Sequence, residues 1–178
     1  MRTLDIRRHA EAAKPDTALG ALSQEGHAAA MHLASSAPRY SLVVVSPRPR
    51  TQDTARAIMG RFDEIEPGLD VASDDVITVD EYFSLLTPEA VVAFIRMRRP
   101  TRAFVAAQLE LWANVASRLP EGRTALIVAH GANVELPAVD LAVTLVTEPR
   151  KVPVGYLEGV RVTYEGGVPR VVSSLNMA

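Results

Sequence analysis

Thr3-Leu4-Asp5-Ile6-Arg7-Arg8-His9-Ala10-Glu11 opens the chain with a short strand-like run that stops at an arginine-histidine pair. Leu4 and Ile6 alternate with Asp5 and Arg7, the period-two pattern of a strand with one apolar face. In open α/β sheets ligands bind beyond the carboxyl ends of the strands, so a histidine in that position can face a substrate. Asp5 and Arg7 are unusual there, because parallel strands in such sheets are covered on both sides. Either they pair with each other or with neighbours, or this strand is less covered than its companions.

The same handover from apolar run to polar group recurs downstream. Leu42-Val43-Val44-Val45 leads into Ser46-Pro47-Arg48-Pro49-Arg50-Thr51-Gln52-Asp53-Thr54-Ala55, and Ala125-Leu126-Ile127-Val128 leads into Ala129-His130-Gly131. Val76-Ile77-Thr78-Val79-Asp80 reads as a further strand that delivers Glu81. His9, His130, Arg8, Arg50 and Glu81 would then lie just past strand ends, as an anion site with a proton donor. Arg48 competes with Arg50 for the clamp, but the two-residue spacing sends them in different directions.

Between the strands the punctuation is helical. Ser23 caps a helix with its body over 26–34, Thr51 to Phe62 forms the next, and Thr87-Pro88-Glu89 opens a third that ends near Arg99-Pro100. Thr101 to Arg118 and Asn133 to Thr147 supply two more, the latter with Pro137 in its first turn. Tyr156 to Tyr164 and Val168 to Ser174 alternate around Glu165-Gly166-Gly167, a hairpin signal. The acidic stretch 63–75 reads as a surface connection. The expected fold is α/β: a three-layer α/β/α sandwich with a mostly parallel central sheet and a C-terminal hairpin, in one domain over 1–178.

Composition narrows the function. A chain of 178 residues buries roughly 70 per cent of its unfolded surface without staples. It has no cysteine, which excludes disulfides, thiol catalysis and cysteine-ligated zinc. A formal charge of −2 and a pI near 6.1 argue against nucleic acid or an anionic membrane as the main partner. No secretory leader or membrane span is evident, so the expected setting is cytoplasmic. His27 and His32 are off one helical face, and arginines beside both strand-end histidines would repel a divalent cation, so no metal is expected. Walker, dinucleotide, serine-hydrolase and zincin patterns do not occur.

Taken together, Arg8-His9-Ala10-Glu11, Leu22-Ser23-Gln24-Glu25-Gly26, Ser46-Pro47 with Arg50 and Thr54-Ala55, Glu81, and His130-Gly131 resemble the ordered signature of the histidine phosphatase superfamily. The resemblance extends to its small bacterial phosphatase branch, with the phosphoglycerate-mutase-like fold. Val171 to Asn176 resembles that branch's last strand. The resemblance implies that His9 attacks phosphorus to form a phosphohistidine, and that Arg8, Arg50 and His130 hold the phosphate. Glu81 would protonate the leaving oxygen and then activate water, with its carboxyl kept partly protonated. No cofactor is implied.

Such chemistry leans on charge stabilisation. Enzymes accelerate phosphate monoester hydrolysis by up to ~10²¹-fold, and removing one preorganised donor at a developing anion costs ~10²–10³ in rate. The expected function is hydrolysis of a small phosphorylated substrate. Phosphoglycerate mutase-type transfer is an alternative, and so is a catalytically weak sensor of a phosphorylated ligand. Glu135 stands where many relatives have an arginine, which disfavours the mutase, whereas departures at Ala10, Pro15 and Glu135 suit the sensor. Arg96, Arg98, Arg99 and Arg102 form either a solvated helix end or a rim for a second anionic group.

Overall fold

The computed structural model describes residues 1–13, 20–147 and 152–176; the expectation at Pro15 lies outside these described residues. In chain order the elements are β1 (Arg2–Arg8), α1 (Gln24–Ala34), β2 (Leu42–Val45), α2 (Pro49–Met59), β3 (Glu64–Ile65), α3 (Val79–Ser84), α4 (Pro88–Met97), α5 (Arg99–Ser117), β4 (Thr124–Ala129), α6 (Gly131–Thr144), β5 (Gly159–Glu165) and β6 (Val168–Leu175). The strands form one six-stranded sheet ordered β3-β2-β4-β1-β5-β6. β3, β2, β4 and β1 run parallel, and the β5–β6 hairpin joins β1 antiparallel.

Strand alternation makes the layers. Leu4 and Ile6 of β1 and Ala125, Ile127 and Ala129 of β4 pack with Trp112 of α5 and Val134 and Ala138 of α6 on one face. Val43 and Val45 of β2 and Leu126 and Val128 of β4 pack on the other with Ala30 and Leu33 of α1 and Ala55 and Ile58 of α2. α3 and α4 form a smaller apolar cluster against α5 and α6 through Tyr82, Val91, Ile95, Val105, Leu136 and Val139. Both faces of the sheet are therefore covered, as parallel strands require.

The charged side chains of β1 are buried and paired. Asp5, fully buried, accepts from the Tyr40 hydroxyl at 2.7 Å and from Arg161 Nε and Nη2 at 2.7 and 2.8 Å. Arg161 stands directly opposite Asp5 in the β1–β5 register. Arg7 donates to the Leu157 carbonyl at 2.6 Å. Of the two readings open in the sequence, pairing with neighbours is the one the fold adopts.

Helix ends follow local chemistry, and several elements depart from the expected boundaries. α2 stops at Gly60, whose φ of 72° closes the helix in the left-handed conformation, rather than running on to Phe62. α6 begins at Gly131, directly behind His130, and takes Pro137 into its interior. The strand expected over Val76 to Asp80 does not form. Thr78 instead caps α3, its Oγ1 accepting from Glu81 N while a Glu81 carboxylate oxygen accepts from Thr78 N. This reciprocal pair is a capping box, and a Thr-x-x-Glu spacing forms it more readily than so short an apolar run holds a strand.

Candidate active site

The carboxyl ends of β1, β2 and β4 lie side by side, so whatever follows them is brought together. Arg8, His9, Arg50 and His130 line one cavity of about 200 Å³. The His9 and His130 rings stand edge to face, 5.3 Å between centroids. Arg50 Nη2 lies 3.5 Å from His130 Nδ1. Arg50 enters from the first turn of α2, and His130 is the residue immediately before α6.

Hydrogen bonds fix how each ring is presented. His9 N donates to the Ala129 carbonyl at 3.0 Å, tying the end of β1 to the end of β4. His9 Nδ1 sits 2.7 Å from the Ala10 carbonyl oxygen, which can only accept, so Nδ1 carries the proton and Nε2 keeps its lone pair. Ala10 N donates to Thr54 Oγ1, which donates to the Arg50 carbonyl, so the loop after His9 is fastened to the helix that carries Arg50. His130 Nε2 lies 2.9 Å from Ser46 Oγ. Since a guanidinium only donates, the arrangement suits a His130 whose Nε2–H donates to Ser46.

Burial lowers the His9 pKa to about 3, with Arg50 and Arg8 adding to the effect against the Ala10 bond. Burial likewise lowers His130 to about 2, followed by His9 and Arg50. Both rings are therefore neutral across the physiological range, with their charge-bearing neighbours being arginines. Such a pocket attracts an anion and offers it an unprotonated imidazole.

The C-terminal segment completes the site. Val154 O accepts from Arg8 Nη1 at 2.7 Å, and the Tyr156 ring lies under the Arg8 guanidinium, 4.4 Å from its carbon to the ring centroid. Leu157, at φ 60°, donates its N–H to the Arg8 and His9 carbonyls at 3.2 and 3.4 Å, and Arg8 N donates to Glu158 O at 2.9 Å. At the opposite side, a Cβ on Gly26 would lie 2.1 Å from the Glu11 carbonyl oxygen, which explains the glycine in the Leu22 to Gly26 stretch.

Glu81 does not line this cavity. Its carboxylate accepts from Thr78 and from Arg98 Nη1 at 2.5 Å. The Thr78 backbone bond, then Arg98, hold its pKa below the usual carboxylate range, the reverse of the partly protonated acid expected from the sequence. The physical reason is that the residue starts a helix instead of ending a strand. Among the described residues Asp74 is the carboxylate that lines the cavity, together with Tyr82 and Tyr156. Sequence reasoning passed over these three, since Asp74 sits in an acidic connection and the tyrosines belong to no motif.

Arg48 turns to Asp70, its Nε donating at 2.6 Å, and does not line the cavity. Arg98 pairs with Glu81 and lies over the Phe94 ring, while Arg96, Arg99 and Arg102 are exposed; none of the four lines the cavity. Glu135 is fully buried, accepting from Val154 N at 2.6 Å and from the Tyr82 hydroxyl at 3.1 Å. Among the described residues no three histidine, aspartate or glutamate side chains group as a metal site, and no helix is long and apolar enough to cross a membrane.

Neither a protein-family model nor a curated protein sequence matches this chain. Solved structures do match along its whole length. Phosphoserine phosphatase from Entamoeba histolytica in complex with 3-phosphoglyceric acid is 19% identical, with a TM-score of 0.69 and coverage of 100% of this chain and 98% of that one. Phosphoglycerate mutase from Bacillus anthracis is 15% identical, with a TM-score of 0.69, over 97% and 92% of the two chains. Alpha-ribazole phosphatase from Shigella flexneri is 18% identical, with a TM-score of 0.58, over 95% and 94%. These are structures of the histidine phosphatase superfamily, and this chain has their fold.

Proposed function

We propose that this chain, folded as a histidine phosphatase, is a phosphomonoesterase acting on a small phosphorylated substrate through a phosphohistidine on His9. The observation that carries the reading is the His9 ring. Its Nδ1 is committed to the Ala10 carbonyl, which leaves the Nε2 lone pair available in a cavity that also holds Arg8, Arg50 and His130.

In the first step Nε2 of His9 attacks phosphorus while the bond from phosphorus to the ester oxygen breaks. Arg8 and Arg50 meet the charge that spreads over the remaining phosphoryl oxygens. The leaving oxygen takes a proton from the Asp74 carboxyl, which lines the same cavity. In the second step the Asp74 carboxylate removes a proton from water, the water oxygen attacks phosphorus, the N–P bond breaks, and inorganic phosphate leaves. Splitting the transfer in two lowers each barrier. Asp74 replaces Glu81 in this scheme because it lines the cavity and Glu81 does not.

Mutase-type transfer has less support. It must retain an acid-bearing acceptor, and beyond Arg8 and Arg50 no lysine or arginine among the described residues lines the cavity. The absence of a membrane-crossing helix among the described residues suits a cytoplasmic setting.

The test is turnover of an aryl phosphate in the presence of a chelator, with acid-labile phosphate mapped on the protein by mass spectrometry. Turnover inhibited by vanadate and label at His9, both lost in His9→Ala, are the expected results. Turnover that survives in His9→Ala overturns the assignment, and saturable phosphate binding without turnover leaves a sensor.

A further inference from the structure

The walls of the cavity are unlike its floor. Val71, Val79, Phe83 and Tyr156 are 44, 69, 55 and 42% exposed, and all four line this cavity. Single exposed apolar residues are ordinary, but several large ones converging from separate segments mark a binding surface. Here they come from the loop after Pro67–Leu69, from α3, and from the segment before β5. Val79 and Phe83 are four residues apart on α3 and so share one face. The Tyr82 and Phe83 rings add an edge-to-face pair at 5.3 Å.

Charge and hydrogen-bonding capacity on those walls are sparse. Apart from Arg8 and Arg50, the charged side chain among the described lining residues is Asp74, which repels a second anionic group. The Thr78 hydroxyl is engaged with Glu81, and the Tyr82 hydroxyl with Glu135. A carboxylic acid would face Asp74 here, and among the described side chains that line these walls a sugar would find Asp74 and the Tyr156 hydroxyl set among Val71, Ile77, Val79 and Phe83.

We infer that the cavity selects phosphate monoesters whose other half is an uncharged aryl or alkyl group. The inference rests on the phosphatase reading for where the phosphate sits. The phosphate is held at the arginine-histidine floor, and the apolar remainder lies against Val71, Val79 and Phe83, where burying it is favourable without any added polar contact.

The test is calorimetric binding of three phosphonates to the full chain: methylphosphonate, phenylphosphonate and phosphonoacetate. Phenylphosphonate is expected to bind about tenfold tighter than methylphosphonate, the gain from burying one ring face, and phosphonoacetate no tighter than methylphosphonate. In a Val79→Ser, Phe83→Ser double variant the phenyl-to-methyl ratio is expected to fall to about twofold, because the apolar contact is what it measures. Equal binding of the phenyl and methyl compounds, tightest binding of phosphonoacetate, or no binding of any of the three overturns the inference. A phenyl preference without hydrolysis of phenyl phosphate would overturn only the phosphatase reading. Hydrolysis of many phosphates without that preference would overturn only the apolar selectivity.

Discussion

Tyr82 and Gly131 approach so closely that a Cβ at position 131 would lie 2.4 Å from the Tyr82 hydroxyl oxygen and 2.8 Å from its ring carbon. The tyrosine cannot swing aside cheaply, because Glu135 holds its hydroxyl and its ring is buried. The glycine after His130 is therefore steric in origin: it admits the α3 tyrosine against the start of α6. Gly131→Ala is expected to cost about 1–3 kcal/mol, as overpacking does, and to shift His130. Denaturant unfolding gives the stability loss, and a rise in KM for an aryl phosphate gives the displacement.

Acid should weaken the fold through the two histidines of the cavity. Their folded pKa values, about 3 for His9 and about 2 for His130, lie below the ordinary histidine value of 6.5. Below pH 6.5 the unfolded chain therefore binds protons that the folded chain refuses, and stability falls as pH falls. Above that value both rings are neutral in either state and their contribution is complete. The slope is at most ~1.4 kcal/mol per pH unit for each histidine. Unfolding measured at pH 7.5, 6 and 5 in phosphate-free buffer should show the decline, and a His9→Asn, His130→Asn double variant should flatten it. An unchanged slope in that variant would contradict the argument.

Asp74 and Glu81 should separate cleanly in kinetics. Asp74→Asn removes the proposed proton donor and is expected to lower kcat by ~10²–10⁴. The loss should be greatest for alkyl phosphates, whose leaving oxygen needs the proton most, and least for nitrophenyl phosphate. Glu81→Gln disturbs the cap of α3 and the Arg98 pair, so it should lower stability while kcat stays near the parent value. The opposite pattern would return the acid role to Glu81.

Glu135 reaches Arg8 indirectly. It accepts from Val154 N, and Val154 O accepts from Arg8. Glu135→Ala leaves the Val154 N–H and the Tyr82 hydroxyl without that acceptor, and each buried orphan costs about 1–3 kcal/mol. KM should rise as Arg8 loses its support, and Glu135→Gln, which keeps one oxygen, should recover part of both effects. Unfolding curves and steady-state kinetics provide the check.

The sheet and its polar exits were legible because they are written locally. Runs such as Leu42 to Val45 and Ala125 to Val128 can be little else than buried strands, and they bring Arg50 and His130 beside His9. Asp5 and Arg7 were ambiguous because their partners, Tyr40, Arg161 and Leu157, lie far along the chain. Val76 to Asp80 was misread as a strand although the Thr-x-x-Glu spacing of Thr78 and Glu81 is a helix-start signal; apolar content outweighed capping in that reading. Tyr82, Asp74 and Tyr156 carry no local pattern. Only the packing of α3 and of the 152–158 segment around the strand ends brings them to the cavity.

The bonds from Leu157 and Glu158 to Arg8 and His9 join sequence neighbourhoods separated by nearly the whole polypeptide. On a ribosome adding about 5–20 residues per second, His9 emerges about 7–30 s before the segment that braces it. The nascent chain thus carries the His9 imidazole without a finished cradle until Leu157 and Glu158 have left the exit tunnel.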